Sequence, residues 1–476
     1  MRGSKLSCIM WRRGTSQSCL VGISNTEVSH SSRRPCRGYH QVSKMYQPSH
    51  VLPQGTRQEE LSCKSQRLMI ENGLIRQAGA GTFHLLPLAQ RALEKLIRVI
   101  DSEMRPVGGQ KITMPSLCSS SLWKKSGRWE QMGTELFRLI DRHNTRLCLG
   151  PTHEEAVTDI IAAEGTMSYK RFPIKLYQIT TKFRDEPRPR FGLLRGREFI
   201  MKDMYTFDSS AEAAVDTYQS VCAAYTRLFQ RLKLDCVRVV GDTGSIGGSL
   251  SHEYHFPAQI GEDELFNCKI CGLGANGETT EGSRPPCQRG LSESACQIRL
   301  QRGIEVGHAF LLGTKYSKIF NASYQDPIGS ISKKFTEMGC YGLGVTRILA
   351  ASIEVLSTEQ EIQWPSLIAP YQVYVIPPKR KSKEEAAIPL ADKLCNDIVH
   401  TFPRLQDELL LDDRDHMTIG RRLTDAKKLG YPYVIILAKR ALEEQPLYEL
   451  HTTRQGTIEY LTKSELLKTI AAIDVV

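Results

Sequence analysis

Between Arg184 and Arg197 the chain sets five arginines in fourteen residues, interleaved with Pro187, Pro189, Gly192 and Gly196. Guanidinium groups at this density repel one another, so the segment needs either a rigid frame that splays them or an anionic ligand that gathers them. The flanks supply the frame. Lys175 to Glu186 and Arg197 to Phe207 have strand-like patterns, and the turn-rich residues Glu186 to Gly196 join them, so the two runs can pair as an antiparallel hairpin. Because side chains alternate across a strand, Arg184 and Glu186 share one face of the first run, while Arg197, Phe199 and Asp203 share one face of the second. Arginine grips phosphate bidentately and a flat ring can stack on a base, so a nucleoside triphosphate is the expected ligand.

A second constellation, Gly339-Cys340-Tyr341-Gly342-Leu343-Gly344-Val345-Thr346-Arg347, ends where a helix can begin. Its glycines permit close backbone approach. It is not a dinucleotide fingerprint, because Arg347 stands where the third glycine belongs, and the chain has no Walker A loop. A third, Gly150-Pro151-Thr152-His153-Glu154-Glu155, reads on its own as a helix start with acids in the first turn.

Around these motifs the chain is organised into blocks. Residues Leu61 to Met104 and Ala211 to Leu232 carry apolar side chains at helical spacing, the second with Ser209 and Glu212 at capping-box distance. Beyond Pro370, the short apolar runs Val373 to Ile376, Glu408 to Leu411 and Tyr433 to Leu437 alternate with helical patterns at Lys383 to His400 and Ile419 to Leu429. That order predicts a small α/β domain with a parallel or mixed sheet. The formal charge of +11 is uneven: residues 1 to 45 hold eight basic side chains and one acid, leaving the body nearly neutral. A basic, serine-rich, acid-poor leader has the composition of an organellar transit peptide. Fourteen scattered cysteines fit free thiols in a reducing compartment better than a disulfide framework. No apolar run reaches the ~18 residues a spanning helix needs, so no membrane partner is expected.

Taken together, Phe183 to Phe199 resembles motif 2, and Gly342 to Arg347 resembles motif 3, of the class II aminoacyl-tRNA synthetases. The Thr152-His153-Glu154 loop, Ser126-Gly127-Arg128-Trp129, the stretch Asp242 to Ser249 and Ser251-His252-Glu253 are similar to the prolyl branch in its bacterial form. The likeness runs from about Tyr46 to the C-terminus and is weaker at Lys111, where the bacterial pattern has an acid before the motif 1 proline, here Pro115. It implies an α+β fold: a class II antiparallel sheet flanked by helices over 46–370, and an α/β anticodon-binding domain over 371–476, behind a mitochondrial transit peptide at 1–45. It also implies a homodimer formed through the Pro115 region, and a matrix enzyme that joins L-proline to its tRNA through a prolyl adenylate, using ATP with Mg²⁺.

By position, the resemblance makes Arg184, Glu186 and Arg347 catalytic. Arg184 would hold the α-phosphate, Arg347 the γ-phosphate, and Glu186 the adenine or the amino-acid side. Phe199 would stack on adenine, and Arg195, Arg197, Gly342 and Gly344 complete the ATP site. Thr152, Glu154, Arg184 and His252 would surround proline. Arg414, Arg421, Arg422 and Lys427 are the expected tRNA contacts, each with a solvated helix face as the competing reading; Ile419-Gly420 departs from the family's Pro-Gly. Only Glu264 to Ile304 separates the Gly261-Glu262-Asp263 and Glu305-Val306-Gly307-His308 signatures, less than the ~50 residues of a small domain, so no separate editing domain is expected. Cys268, Cys271, Cys287 and Cys296 lack paired CxxC spacing, so structural zinc is not expected and no metal ligands are assigned. The competing functions are a non-catalytic, nucleic-acid-binding accessory subunit built on the same frame, and a class II synthetase of another specificity. The presence of Arg184, Glu186, Thr152, Glu154 and Arg347 favours the enzyme.

Overall fold

The computed structural model describes residues 38–48, 63–268, 270, 274–280, 298–326 and 333–476. The arginine-rich hairpin forms as the alternation predicts. Ile174–Phe183 pairs antiparallel with Glu198–Asp208, which pairs on its other side with Glu337–Gly344. This trio lies within a nine-stranded sheet that continues through Ile298–Gly313, Asp263–Cys268, Gly274–Asn276, Val237–Val240 and Leu250–Pro257, with Gln110–Lys111 at the opposite edge. Apart from Ile270 and the short helical turn Gly277–Thr280, the described parts of the Glu264 to Ile304 segment are thus strands of this sheet.

Three helices cover the rear face: Pro87–Met104, Ala211–Arg231 and Val345–Leu356. Leu93, Leu96, Ile100, Val221, Tyr225, Leu228, Ile348 and Leu349 bury their side chains there in one cluster. At ~1.5–3 kcal/mol for each large apolar side chain removed from water, this packing holds the rear closed and leaves the front face free for a ligand. Two local readings need correction. The stretch Leu61 to Met104 is not one helix: Lys64–Glu71 ends, and Gly73 and Gly81, both at positive φ, fold the next residues into the hairpin Ile75–Gly79 and Thr82–Leu85. The cap of Ala211–Arg231 is Ser210 rather than Ser209; its hydroxyl accepts from the Ala213 N–H.

The C-terminal domain has the mixed sheet expected. Leu409–Leu411, Val373–Ile376 and Tyr433–Ile436 run parallel, and Tyr448–Thr452 and Thr457–Leu461 add antiparallel strands. At the far edge sits a strand no pattern announced. His40–Gln41 pairs parallel with Leu410–Leu411, Tyr39 is buried against this domain, its hydroxyl donates to Asp392, and the Ser43 N–H donates to Asp413. The folded chain therefore takes in Gly38 to Met45, which composition had assigned to the leader; residues 1–37 lie outside the described residues. Composition registers charge and cannot register a two-residue edge strand.

A third, small sheet joins Leu117–Ser119, Arg146–Leu149 and Arg138–Ile140, just before the Thr152 loop. Among the described residues, no helix is long and apolar enough to cross a membrane, and no group of three or more His, Cys, Asp or Glu is placed to hold a metal ion. Cys268 is buried; Cys271, Cys287 and Cys296 lie outside the described residues.

Candidate active site

On the front of the sheet two adjoining cavities, of about 250 and 160 Å³, share Arg184, Phe199, Glu305 and Arg347. The larger is lined by Glu186, Arg195, Glu262 and Asp263 as well. The smaller is closed by Thr152, Glu154, Asp203, Gly342 and Gly344. Motifs distant in sequence thus meet because neighbouring strands carry them.

Arg184 stands over the Phe199 ring, its guanidinium carbon 5.5 Å from the centroid. Among the described residues no carboxylate lies within salt-bridge distance of it. Burial, and next the nearby Arg347 guanidinium, lower its proton affinity, the signature of a cation held without its anion. Arg347 is fixed from one side only: its Nε donates to the Leu194 carbonyl (2.8 Å) and its Nη1 to the Glu305 carbonyl (3.0 Å) and carboxylate (3.1 Å). Burial works against the charge of Glu305, but His308, whose Nδ1 lies 3.2 Å away, and Arg347 outweigh it and hold the carboxyl below its usual range. Arg195 bonds Glu186 at 3.0 Å and also reaches Glu262. Burial opposes ionisation of Glu186, yet the Arg195 bond prevails and keeps it charged.

The smaller cavity is acidic at its floor. Glu154 is fully buried, accepting from Arg128 Nη1 at 2.9 Å and from Thr152 Oγ1 at 2.7 Å. Glu155 shares the same Arg128 nitrogen at 3.1 Å and takes the Ser126 hydroxyl at 2.8 Å. Two carboxylates thus face one guanidinium. Desolvation raises both, but Arg128 and Thr152 bring Glu154 below the usual range, whereas Glu155, with Glu154 as a like-charged neighbour, stays raised. Arg128 had been noted only as part of a motif; a buried arginine 26 positions from its carboxylate partner leaves no signal in local sequence. Glu305 and His308 were likewise quoted without a role.

Three expected site residues stand elsewhere. His252 points to the rear of the sheet, where its Nδ1 bonds the Tyr218 hydroxyl at 2.7 Å in a groove with Cys222, Arg238 and Leu250. Burial, then Arg238 and His308, push it down to about 4, so it is neutral. Its neighbour Glu253 takes the opposite face. Arg197 precedes the strand Glu198–Asp208, so alternation does not govern it. It pairs with Asp185 and covers the Phe137 ring at 4.9 Å, outside both cavities. Arg422 is completely buried and donates to the Asp412 and Pro377 carbonyls, so it builds the anticodon-side domain instead of facing RNA. Arg414 makes a bidentate bond to Asp412 at 2.9 and 2.8 Å, while Arg421 is exposed and Lys427 half-buried.

This sheet, with arginines from two motifs on its open face, defines a class II tRNA synthetase core. Residues 137–356 match the family model "tRNA synthetase class II core domain (G, H, P, S and T)" and residues 372–473 match "Anticodon binding domain". The chain is 55% identical over 91% of its length to a probable mitochondrial proline–tRNA ligase of Rattus norvegicus, covering 91% of that protein, and 52% identical to the one of Homo sapiens, covering 93% of this chain and 95% of that one. It belongs to the proline–tRNA ligase family. A proline–tRNA ligase of Azorhizobium caulinodans is 36% identical over 86% of this chain and 95% of its own. A prolyl-tRNA synthetase from Cryptosporidium parvum, solved with L-proline and AMP, shares the fold at TM-score 0.68 and 18% identity, over 86% of this chain and 74% of that one.

Proposed function

We propose that the chain activates L-proline with ATP and transfers it to the proline tRNA in mitochondria, with the two front cavities as its nucleotide and amino-acid sites. The observation that carries this reading is Arg184, a guanidinium with no carboxylate partner among the described residues, which stands over an aromatic ring where the two cavities meet. An anion there gains a charge-assisted partner and removes the repulsion between Arg184 and Arg347. Adenylate formation is an in-line displacement in which negative charge grows on the oxygens of a pentacoordinate α-phosphorus, so pre-placed cations lower the barrier without a general base. Arg184 holds that phosphate and Phe199 stacks on adenine. Arg347, anchored by Glu305 and the Leu194 carbonyl, holds the γ-phosphate end, and Glu186, kept charged by Arg195, faces the adenine side.

The amino-acid site is matched by charge. Glu154 and Glu155 exceed Arg128 by one potential negative charge, and the cationic imino group of proline restores the balance. Thr152, fixed by Glu154, supplies the second polar contact. The ring itself offers only apolar surface, so alanine is rejected weakly; with no separate editing domain, mischarged alanyl-tRNA is not hydrolysed by this chain. Mg²⁺ would enter as the counter-ion of ATP and neutralise phosphate charge, and Glu305 and Asp263, both on the lining of the larger cavity, are carboxylates that could hold it.

The same reading makes the protein a homodimer of the matrix. The sheet beside Pro115 leaves Leu117, Leu139 and Ile140 exposed by 52%, 41% and 68%, an apolar surface of the kind a second copy covers. Arg421 and Lys427 are the tRNA contacts that the fold leaves accessible. The test is ATP–pyrophosphate exchange with each of the twenty amino acids. Proline alone supports strong exchange; no exchange returns the accessory-subunit reading, and exchange driven by another amino acid removes the prolyl one.

A further inference from the structure

Cys118 and Cys148 stand directly opposite one another on the antiparallel strands Leu117–Ser119 and Arg146–Leu149, both reduced. Neither takes part in the chemistry described above. The pair sits at the root of the amino-acid site, since Arg146–Leu149 runs straight into Gly150, Thr152 and Glu154. The His153 ring closes the group. Its Nε2 is 2.9 Å from the Pro115 carbonyl and 4.0 Å from the Cys118 sulfur, and a Cβ on Gly150 would meet both that ring and that sulfur. The two cysteines are not equivalent. Cys118 retains 7% exposure and has the imidazole beside it; Cys148 is sealed. The Cys148 thiol opposite, then His153 and Lys182, overcome burial and bring Cys118 down to about 5, while Cys148 is pushed up. The nucleophilic sulfur is therefore the one a small oxidant can reach.

Register decides what oxidation would do. The Gly150 N–H donates to the Ser116 carbonyl, so 116 and 150 are a hydrogen-bonded pair, and two residues further on 118 and 148 are one as well. Such pairs hold their Cα atoms ~5.5 Å apart, inside the range a disulfide spans, but their Cβ atoms are wider than the ~3.8 Å a disulfide wants. The bond can close, and in closing it must draw the two strands together.

We propose that Cys118 and Cys148 form a reversible disulfide when the protein meets a hydroperoxide, and that closing it displaces the loop Gly150 to Glu154 and switches off proline activation. The Cys118 thiolate attacks the distal peroxide oxygen and the O–O bond breaks. The released hydroxide or alkoxide takes the proton held on His153, and a sulfenic acid remains. The Cys148 sulfur then attacks the Cys118 sulfur; the S–S bond forms, the S–O bond breaks, and the leaving oxygen departs as water with the Cys148 proton. Two thiols lose two electrons and the peroxide gains them.

The test uses the full chain treated with hydrogen peroxide, read by peptide mapping and by proline-dependent ATP–pyrophosphate exchange. The expected result is a Cys118–Cys148 linked peptide, exchange lowered by about tenfold or more, and recovery of both with dithiothreitol. Cys118→Ser keeps basal exchange and loses the sensitivity; Cys148→Ser stalls at the sulfenic acid, which dimedone captures on Cys118. Absence of the linked peptide while exchange falls, or an equal fall in Cys118→Ser, overturns the proposal, and a linked peptide with unchanged exchange overturns the switch. The exchange readout rests on the proline-activating reading, whereas the linked peptide and the dimedone adduct do not, so the two can fail separately.

Discussion

Two arginine-rich stretches of the described residues, the Arg184–Arg197 hairpin and the Arg414–Arg422 stretch of the C-terminal domain, are treated by the fold in opposite ways. In the C-terminal domain the guanidinium groups are consumed locally: Arg414 clasps Asp412, and Arg422 satisfies two backbone carbonyls in the interior. In the hairpin the outer arginines are paired, Arg195 with Glu186 and Arg197 with Asp185, and Arg184 is left desolvated with no carboxylate partner among the described residues. A cation becomes a binding device when its neighbours' charges are already spent. Density of arginine, which is all a sequence displays, does not distinguish the two outcomes.

The comparison can be broken in several ways. Arg184→Ala is expected to lower proline-dependent pyrophosphate exchange by ~100-fold or more, the loss of one transition-state donor; near-wild-type exchange would place the anion elsewhere. Arg422→Ala should instead leave the exchange rate per folded molecule intact and cost about 3 kcal/mol in urea unfolding, because two carbonyls lose their donor. A stable Arg422→Ala protein with weakened tRNA binding would make that arginine an RNA contact after all.

Carboxylates offer the same contrast. Asp412, given an arginine, is held below its usual range despite burial, whereas burial pushes Asp208, which takes the Thr217 hydroxyl, up to about 6. A carboxyl raised in the folded state binds its proton more tightly there than in the unfolded chain, so its contribution is present below pH ~4 and is lost as pH rises through 6. Asp208→Asn should therefore stabilise the protein above pH 6, by ~1–3 kcal/mol at pH 8, and have no effect near pH 4, as measured by thermal unfolding across pH. Smaller effects are expected at the hairpin's rim and on the exposed helix. Arg197→Ala should change exchange by no more than about threefold, since a partly exposed pair contributes ~0–1 kcal/mol. Arg421→Ala should leave exchange untouched, raise the KM for tRNA a few-fold and flatten its salt dependence by about one phosphate contact.

What could be read ahead of the structure was what local pattern encodes. The hairpin, the rear helices and the small α/β domain all follow from alternation, helical spacing and glycine placement. The faces of a strand could also be read, but not which face meets the ligand. Alternation sets His252 and Glu253 on opposite faces of their strand, and only the packing of Ala211–Arg231 against the rear decides that His252 is the one turned away. Arg128 and Arg422 were hidden for a related reason, since their partners, Glu154 and the Pro377 carbonyl, are brought by other elements of the fold.

The edge strand His40–Gln41 also ties together parts of the chain that lie far apart in sequence. Its partner is Leu410–Leu411, and the Ser43 N–H reaches Asp413, 370 positions further on. Closing a loop of that length costs chain entropy before the pairing returns any contact, so a contact of this separation is slow to form. The outer edge of the C-terminal sheet therefore belongs to a late stage of folding, after the parallel strands beside it have found one another.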